Sequence, residues 1–366
     1  MKKMKIGIVG CGNISSTYLK NAGIFPKILE VSACADINKA AADAKAAEFG
    51  IKSLSVKEIV ADKEIELIVN LTIPAVHAQV NMQAMESGKH VYCEKPFAVD
   101  LKDGIKILEM AKRKKLRVGS APDTFLGAGY QTCRKILDDG WIGKATNGSA
   151  MILSKGPEGW HPNPFFFYQK GAGPMFDMGP YYMTALVSML GPVKSVTASA
   201  TSFSKERTAG HKDIVGEKIK VEVPTHYTGF MEFHSGAIIT VIVGWETHRH
   251  THSPIEIYGT EGSMQCPDPN TFGGPVKIFR PGNPDWADSI LTHSYSGNSR
   301  MLGVADMISG IRNGKPHRCS GELALHVLEV MHSFEASTKN GGRVEIKNRC
   351  QHPQPLKPGL MEGLVE

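Results

Sequence analysis

Short, almost wholly apolar strands alternate with helices through the first third of the chain, and no other feature narrows the fold so far. Lys5 to Val9, Leu29 to Ala35, Ile65 to Leu71, His90 to Cys93 and Leu116 to Ser120 are the expected strands. Helices are expected after the first strand to about Gly23, over Lys39 to Phe49 (closed by Gly50) and over Val76 to Glu86. A further helix, capped by Asp100, carries Leu101, Ile105, Leu108 and Ala111 on one face. Strands apolar on both sides must be covered on both sides, which means a parallel sheet between layers of helices. Open parallel sheets bind ligands beyond the carboxyl ends of their strands. Val91 to Cys93 ends on Glu94-Lys95-Pro96, and proline cannot supply the next ladder bond. Lys95 is therefore either a crevice residue between cofactor and substrate or a surface lysine in an ordinary turn.

Near Ala121 the texture changes. A helix is expected from Tyr130 to Asp139 and a strand from Ala145 to Leu153. The stretch from Ser154 to Gly173, rich in Gly, Pro and aromatic residues, reads as a long functional loop. A helix from about Gly179 to Leu190 is followed by period-two runs at Val193 to Ser202, Thr225 to Phe233, Ile238 to Trp245, Ile255 to Tyr258 and Val276 to Phe279. Strands without intervening helices indicate a second domain of α+β type with an antiparallel or mixed sheet. Ser299 to Arg312 and Glu322 to Thr338 are amphipathic helices, Arg343 to Ile346 a last strand, and the tail from His352 is extended. The expected division is 1–121 and 122–366.

Gly10-x-Gly12-x-x-Ser15 follows a strand and opens a helix, the context of a dinucleotide fingerprint, with serine at the usual third glycine or alanine. Gly10 permits the tight turn and Gly12 the approach of a pyrophosphate, while the helix N-terminus stabilises phosphate charge. Gly10, Gly12, Asn13 and Ile14 are thus candidate cofactor residues. Asp36 ends the second strand, where a carboxylate accepts hydrogen bonds from a ribose diol or, alternatively, caps a helix. It would repel a 2'-phosphate, so NAD is expected; Lys39 leaves NADP open. Thr72, Pro74 and His77 lie past the next strand, beside the nicotinamide half of such a site, where His77 is expected to contact the cofactor; the alternative is an early-helix residue only.

The net charge of +6 is dispersed, and its densest run, Lys112 to Lys115, ends a helix and complements the dipole there. No nucleic-acid partner is expected. The seven cysteines are scattered without C-x-x-C spacing, so neither a disulfide framework nor a zinc site is indicated. The apolar run after the basic N-terminus is only Ile6 to Val9, and no segment reaches membrane-spanning length, which points to a cytoplasmic protein. His248, His250 and His252 alternate, but only Glu246 offers a carboxylate nearby, so no metal is expected.

The glycine turn, Thr72-x-Pro74-x-x-His77, Gly88-Lys89-His90-Val91 running into Glu94-Lys95-Pro96, and Gly171-x-Gly173 leading to Asp177-x-Gly179 together resemble the Gfo/Idh/MocA oxidoreductases along essentially the whole chain. The resemblance implies an N-terminal Rossmann domain, a doubly wound parallel sheet, and a C-terminal α+β domain with a large open, mainly antiparallel sheet that often forms homodimer or homotetramer contacts. It implies hydride transfer between a nicotinamide and a sugar or polyol. Lys95 and Glu94 would then lie beside the cofactor, and Asp177 with the residue four positions on would complete the site. That residue is Tyr181 rather than histidine, which is closer to glucose-fructose oxidoreductase and dimeric dihydrodiol dehydrogenase than to inositol dehydrogenase.

If a helix has begun by Asp177, the two side chains share a face. A tyrosine, with its ordinary pKa of about 10, needs a neighbouring cation to act as a base, and Lys95 is the candidate. His161 and Asn163, in a loop stiffened by Pro162 and Pro164, are a further acid-base and hydroxyl-binding pair, or structural residues anchored by Trp160. Two other functions fit such a chain: an NAD-dependent glycosidase working by transient oxidation, and an inactive sugar-sensing regulator.

Overall fold

A computed structural model describes residues 3–365. The first sheet comprises β1 (Met4–Val9), β2 (Leu29–Ala35), β3 (Lys52–Leu54), β4 (Leu67–Asn70), β5 (His90–Cys93) and β6 (Val118–Ser120). Every pairing is parallel and the order is β3-β2-β1-β4-β5-β6. That is the doubly wound Rossmann order, and its reversal between β1 and β4 opens the crevice where ligands bind. Ile6, Ile8, Leu67, Ile68, Val69 and Val91 are fully buried, as two-sided coverage requires. The covering helices are α1 (Ser15–Ala22), α2 (Lys39–Phe49), α3 (Val56–Ala61), α4 (His77–Glu86) and α5 (Leu101–Lys114).

The second sheet has nine strands. They are β7 (Ala145–Leu153), β8 (Val193–Thr201), β11 (His226–Phe233), β12 (Ile238–Gly244), β13 (Ile255–Gly259), β14 (Ser263–Cys266), β15 (Val276–Phe279), β16 (Ala287–Ser289) and β17 (Val344–Glu345), ordered β16-β15-β14-β13-β7-β12-β11-β8-β17. Only β7 and β12 pair in parallel. β9 (Glu206–Thr208) and β10 (Lys218–Lys220) form a separate hairpin. Helices α6 (Ala128–Asp138), α7 (Gly173–Leu190), α8 (Leu302–Asn313) and α9 (Gly321–Asn340) complete the second half, with α7 and α9 packed together against this sheet.

Two expectations are corrected and one unit is added. The helix expected from Gly179 begins at Gly173 and runs through Pro180; that proline has no N–H for the Phe176 carbonyl, but a helix buried along nearly its whole length tolerates the lost bond. Asp100 occupies the N-cap of α5 without a capping bond, because its carboxylate pairs with Lys170 at 3.2 Å. β3 and α3 were not anticipated, although Ser55 and Glu58 form a reciprocal capping box that the sequence displays. Among the described residues, no helix is long and apolar enough to cross a membrane.

Candidate active site

The crevice begins with the turn after β1. Gly10 has φ +103, and a Cβ there would lie 2.5 Å from the Leu71 carbonyl carbon and 2.7 Å from the Thr72 nitrogen. Only glycine lets the turn cross so close to the chain leaving β4. Gly12 is the opposite case, exposed, with no atom within 4 Å of a built Cβ. Beyond it Ile14 is the N-cap of α1 and makes no side-chain capping bond, so no side chain takes up the first N–H groups of the helix. Ser15, in the third fingerprint position, is buried and donates its hydroxyl to the Gly12 carbonyl at 2.6 Å. Asn13 is exposed on the same turn.

Asp36 is held by the turn it serves. One carboxylate oxygen accepts the Cys11 N–H at 2.7 Å and the other the Asn38 N–H at 2.8 Å. The helix-cap alternative falls to Asn38, whose side chain accepts the Ala41 N–H. The donor set therefore suits a dinucleotide: an open glycine cradle, an uncapped helix start and a carboxylate with fixed orientation.

On the other side of the switch point, buried Asn70 accepts both the Thr72 N–H (3.2 Å) and its hydroxyl (2.6 Å). Pro74 opens a single 3-10 turn into α4. His77 does not face the crevice. It is fully buried with Nδ1 2.8 Å from the Pro96 carbonyl oxygen and Nε2 2.9 Å from that of Thr72. Burial pulls its pKa down against these two carbonyls. The ring ties the Thr72 loop to the Pro96 loop instead of offering a nitrogen to a ligand.

Adjacent residues of an extended segment point to opposite sides, and Glu94 and Lys95 do so. Buried Glu94 accepts the Tyr18 hydroxyl at 2.7 Å and the Lys95 N–H at 2.9 Å, anchoring it to α1. Lys95 reaches α7, donating to the Asp177 backbone carbonyl at 2.8 Å and to its carboxylate at 3.1 Å. Asp177 and Tyr181, one turn apart on α7, share a face, and the Lys95 ammonium lies 5.1 Å from the centre of the Tyr181 ring. Burial disfavours the Lys95 charge, but Tyr181, Asp177 and Glu94 outweigh it, so the ammonium is held protonated above the ordinary lysine range.

A second cation, Arg300, sits at the turn before α8, donating to the Asn270 side chain at 2.7 Å and the Asn298 side chain at 3.3 Å. Burial disfavours its charge, but nearby Tyr181 and Asp123 raise its pKa above the ordinary arginine value. Nothing in the sequence signalled its place, because it lies far along the chain. Asn70 was likewise missed, although an asparagine ending an apolar strand is a visible anomaly.

His161 and Asn163 are not joined to the Lys95, Asp177 and Tyr181 group. His161 Nδ1 accepts the Asn163 N–H at 3.0 Å, and its ring lies 5.0–5.6 Å from those of Trp160, Phe166 and Phe167. Trp160, expected to anchor the loop, is 66% exposed. The anchor is instead a small separate core of Tyr168, Ala209, Ile219 and Trp245, with Tyr168 hydrogen-bonded to Glu158 and Arg207 bridging Glu158 and Glu246. His248, His250 and His252 follow β12 in irregular chain rather than on a strand face, with the rings of His250 and His252 stacked. Among the described residues no group of three or more His, Cys, Asp or Glu is placed to hold a metal.

Residues 4–121 match the family described as "Oxidoreductase family, NAD-binding Rossmann fold", and residues 130–265 match "GFO/IDH/MocA C-terminal domain". Among curated proteins, an uncharacterized oxidoreductase of Schizosaccharomyces pombe is 30% identical over 150 residues, 40% of this chain and 39% of that protein. A second from the same organism is 27% identical over 206 residues, 54% and 55%. The chain thus spans less than two thirds of the length of these relatives. Levoglucosan dehydrogenase of Pseudarthrobacter phenanthrenivorans is 23% identical over 290 residues, 72% and 73%. Levoglucosan dehydrogenase in complex with NADH and L-sorbose superposes with a TM-score of 0.82 at 19% identity, covering 95% of this chain and 100% of that one. An NAD binding oxidoreductase from Klebsiella pneumoniae gives 0.82 at 21%, covering 94% and 99%. At such identities the superpositions establish the fold.

Proposed function

The chain belongs to the Gfo/Idh/MocA oxidoreductases, and from that premise we propose that it is an NAD-dependent dehydrogenase or reductase moving a hydride to or from a carbinol carbon of a sugar or polyol. The observation that carries the reading is the Lys95 ammonium set between the Asp177 carboxylate and the Tyr181 ring. Carbohydrate as the substrate class is supported by the relatives named for levoglucosan. NAD rather than NADP is supported by Asp36 and by Lys39, whose amine is engaged by Asp43 and Ser53.

Gly10, Gly12, Asn13 and the start of α1 would hold the pyrophosphate, Asp36 the adenine ribose, and Thr72 and Glu94-Lys95 the nicotinamide side. Exposed Ile37 and Ile73 offer apolar surface at the rim for the adenine. When bound, the nicotinamide accepts or supplies the hydride. Lys95 stays charged, so it orients the reacting oxygen and favours negative charge there. Tyr181 carries the hydroxyl proton, taking it in oxidation and returning it in reduction. Asp177 holds Lys95 and, with its free oxygen, a second substrate hydroxyl. Tyr181 in place of histidine keeps glucose-fructose oxidoreductase and dimeric dihydrodiol dehydrogenase as the nearer chemical parallels. Oligomerisation through the nine-stranded sheet, a division near residue 121 and a cytoplasmic location are parts of the same proposal.

The protein and its Lys95→Ala variant should be incubated with NAD and a panel of sugars, polyols and aryl glycosides. NADH formed by the wild type, with NAD binding kept and turnover lost in the variant, supports the reading. Aglycone released without NADH, or turnover retained in the variant, sinks it.

A further inference from the structure

The far end of α1 rests on the second half of the chain. Buried Asn21 donates its side-chain amide to the Asn298 carbonyl at 2.9 Å, and the rings of buried Phe25 and Tyr295 lie with their centres 5.9 Å apart. Tyr295 in turn donates its hydroxyl to the Leu364 carbonyl at 2.7 Å. One residue earlier, Gly363 has φ +85, and a Cβ built there would stand 2.7 Å from the Ile24 carbonyl oxygen. Only glycine lets the tail cross the end of α1 so closely. The same tail is laid along the loop that holds Asn21 and Phe25: the Leu356 carbonyl lies 3.0 Å from His293 Nε2, and the Leu360 carbonyl accepts the Ser294 hydroxyl. That loop, 293–301, is kept in unusual geometry, with φ +67 at Tyr295 and φ +108 at Met301, conformations side-chain-bearing residues rarely adopt. Such strain persists only where neighbours enforce it. The tail is the neighbour at Tyr295; at Met301 it is buried Asp123, which accepts the N–H groups of Met301 (3.1 Å) and Gly303 (2.9 Å).

We propose that Asn21, Tyr295 and Gly363 are positioning residues of the cofactor site: through them the 293–298 loop and the tail 356–365 seat the far end of α1 and so set where its near end, the phosphate cradle, stands. This rests on the reading of the glycine turn as a dinucleotide site. The helix has only eight residues, about 12 Å at the usual rise, so a shift at one end is carried to the other. Its middle is tied to the first half by the Tyr18 hydroxyl on Glu94 at 2.7 Å, and the seat supplies the second point that fixes its direction. Loop and tail act through α1, without a contact of their own to the dinucleotide.

The test needs no substrate. Asn21→Ala, Tyr295→Phe and Gly363→Ala are made in the full chain, and NADH affinity is read by fluorescence titration. Substitutions that reach a site through intervening structure change its affinity by about 2- to 30-fold. Each variant should therefore bind NADH at least about threefold more weakly than the wild type. Loosened packing alone lowers a melting temperature but does not interact with the cradle, so each substitution is repeated together with Gly12→Ala. Acting through the same helix, it should weaken binding less in the Gly12→Ala background than in the wild type. Unchanged NADH affinity in all three variants overturns the proposal, as do losses that multiply independently of Gly12→Ala. Where Gly363→Ala does not fold, Tyr295→Phe, which removes one hydroxyl and keeps the ring against Phe25, carries both arms. A wild type that binds no NADH strikes the cofactor reading and this proposal with it, whereas wild-type binding with indifferent variants strikes the seat alone.

Discussion

Replacing Asp177 by asparagine removes the carboxylate 3.1 Å from the Lys95 ammonium and leaves the backbone carbonyl contact at 2.8 Å. Two unit charges at that separation attract by about 5 kcal/mol at an effective dielectric of about 20. The side chains are 17% and 30% exposed, so water screens part of this. A surviving effect of about 1–3 kcal/mol corresponds to about one to two pH units in the ionisation of Lys95. Lys95 in Asp177→Asn should therefore lose its proton at a pH lower by that amount, while the near-isosteric amide leaves α7 intact. The assay is the rate at which an amine-reactive reagent labels the Lys95 peptide, followed by mass spectrometry from neutral to strongly alkaline pH. At any pH below both midpoints, labelling should be about 10- to 100-fold faster in the variant. Superimposable curves would refute the argument, because they would mean that the backbone carbonyl and the Tyr181 ring alone hold the ammonium.

The two fingerprint glycines should fail differently. Gly12→Ala adds a methyl into open space, so its melting temperature should match the wild type while NADH affinity, read by fluorescence titration, falls at least about tenfold. Gly10→Ala forces a Cβ against the Leu71 and Thr72 backbone at positive φ and should cost about 2 kcal/mol or more in a denaturant melt; wild-type stability would contradict the close crossing. Burial pushes the Asp123 carboxyl up from 3.8 to about 6. Between those values the folded chain binds a proton that the unfolded chain does not, so this group favours the fold on the acid side and that contribution is lost as pH rises through the window. Asp123→Asn keeps an acceptor for Met301 and Gly303 without the charge, and should match or exceed wild-type stability by about 1–3 kcal/mol at neutral pH and lose that advantage near pH 4. A variant less stable at neutral pH would show that the charge itself holds the strained turn.

The doubly wound half was legible because its strands are short and apolar on both faces, a pattern with few alternatives. Leu29–Ala35, Lys39–Phe49 and His90–Cys93 were read to the residue. The second half was harder where strands are polar or exposed. Ser263–Cys266 has two inward residues, and Ala287–Ser289 none that are fully buried, so neither carries a visible period. Pro180 concealed the first turns of α7, because a proline reads locally as a stop and only burial on all sides overrides it. Of the candidate residues, Lys95, Asp177 and Tyr181 meet because two of them are one helical turn apart, a relation that sequence spacing displays. His77 turned inward, since two backbone carbonyls within 3 Å are partners that no motif announces.

Lys95 leaves a strand of the first sheet, and Asp177 rides on a helix packed against the second. Their contact is thus a fastening between the two halves of the molecule. The ammonium reaches the Asp177 backbone as well as its carboxylate, so even a neutral side chain there leaves one strand of the fastening tied. Any motion that parts the halves to admit or release a ligand must first undo it. The position of one lysine is thus linked to how the two halves are set against each other.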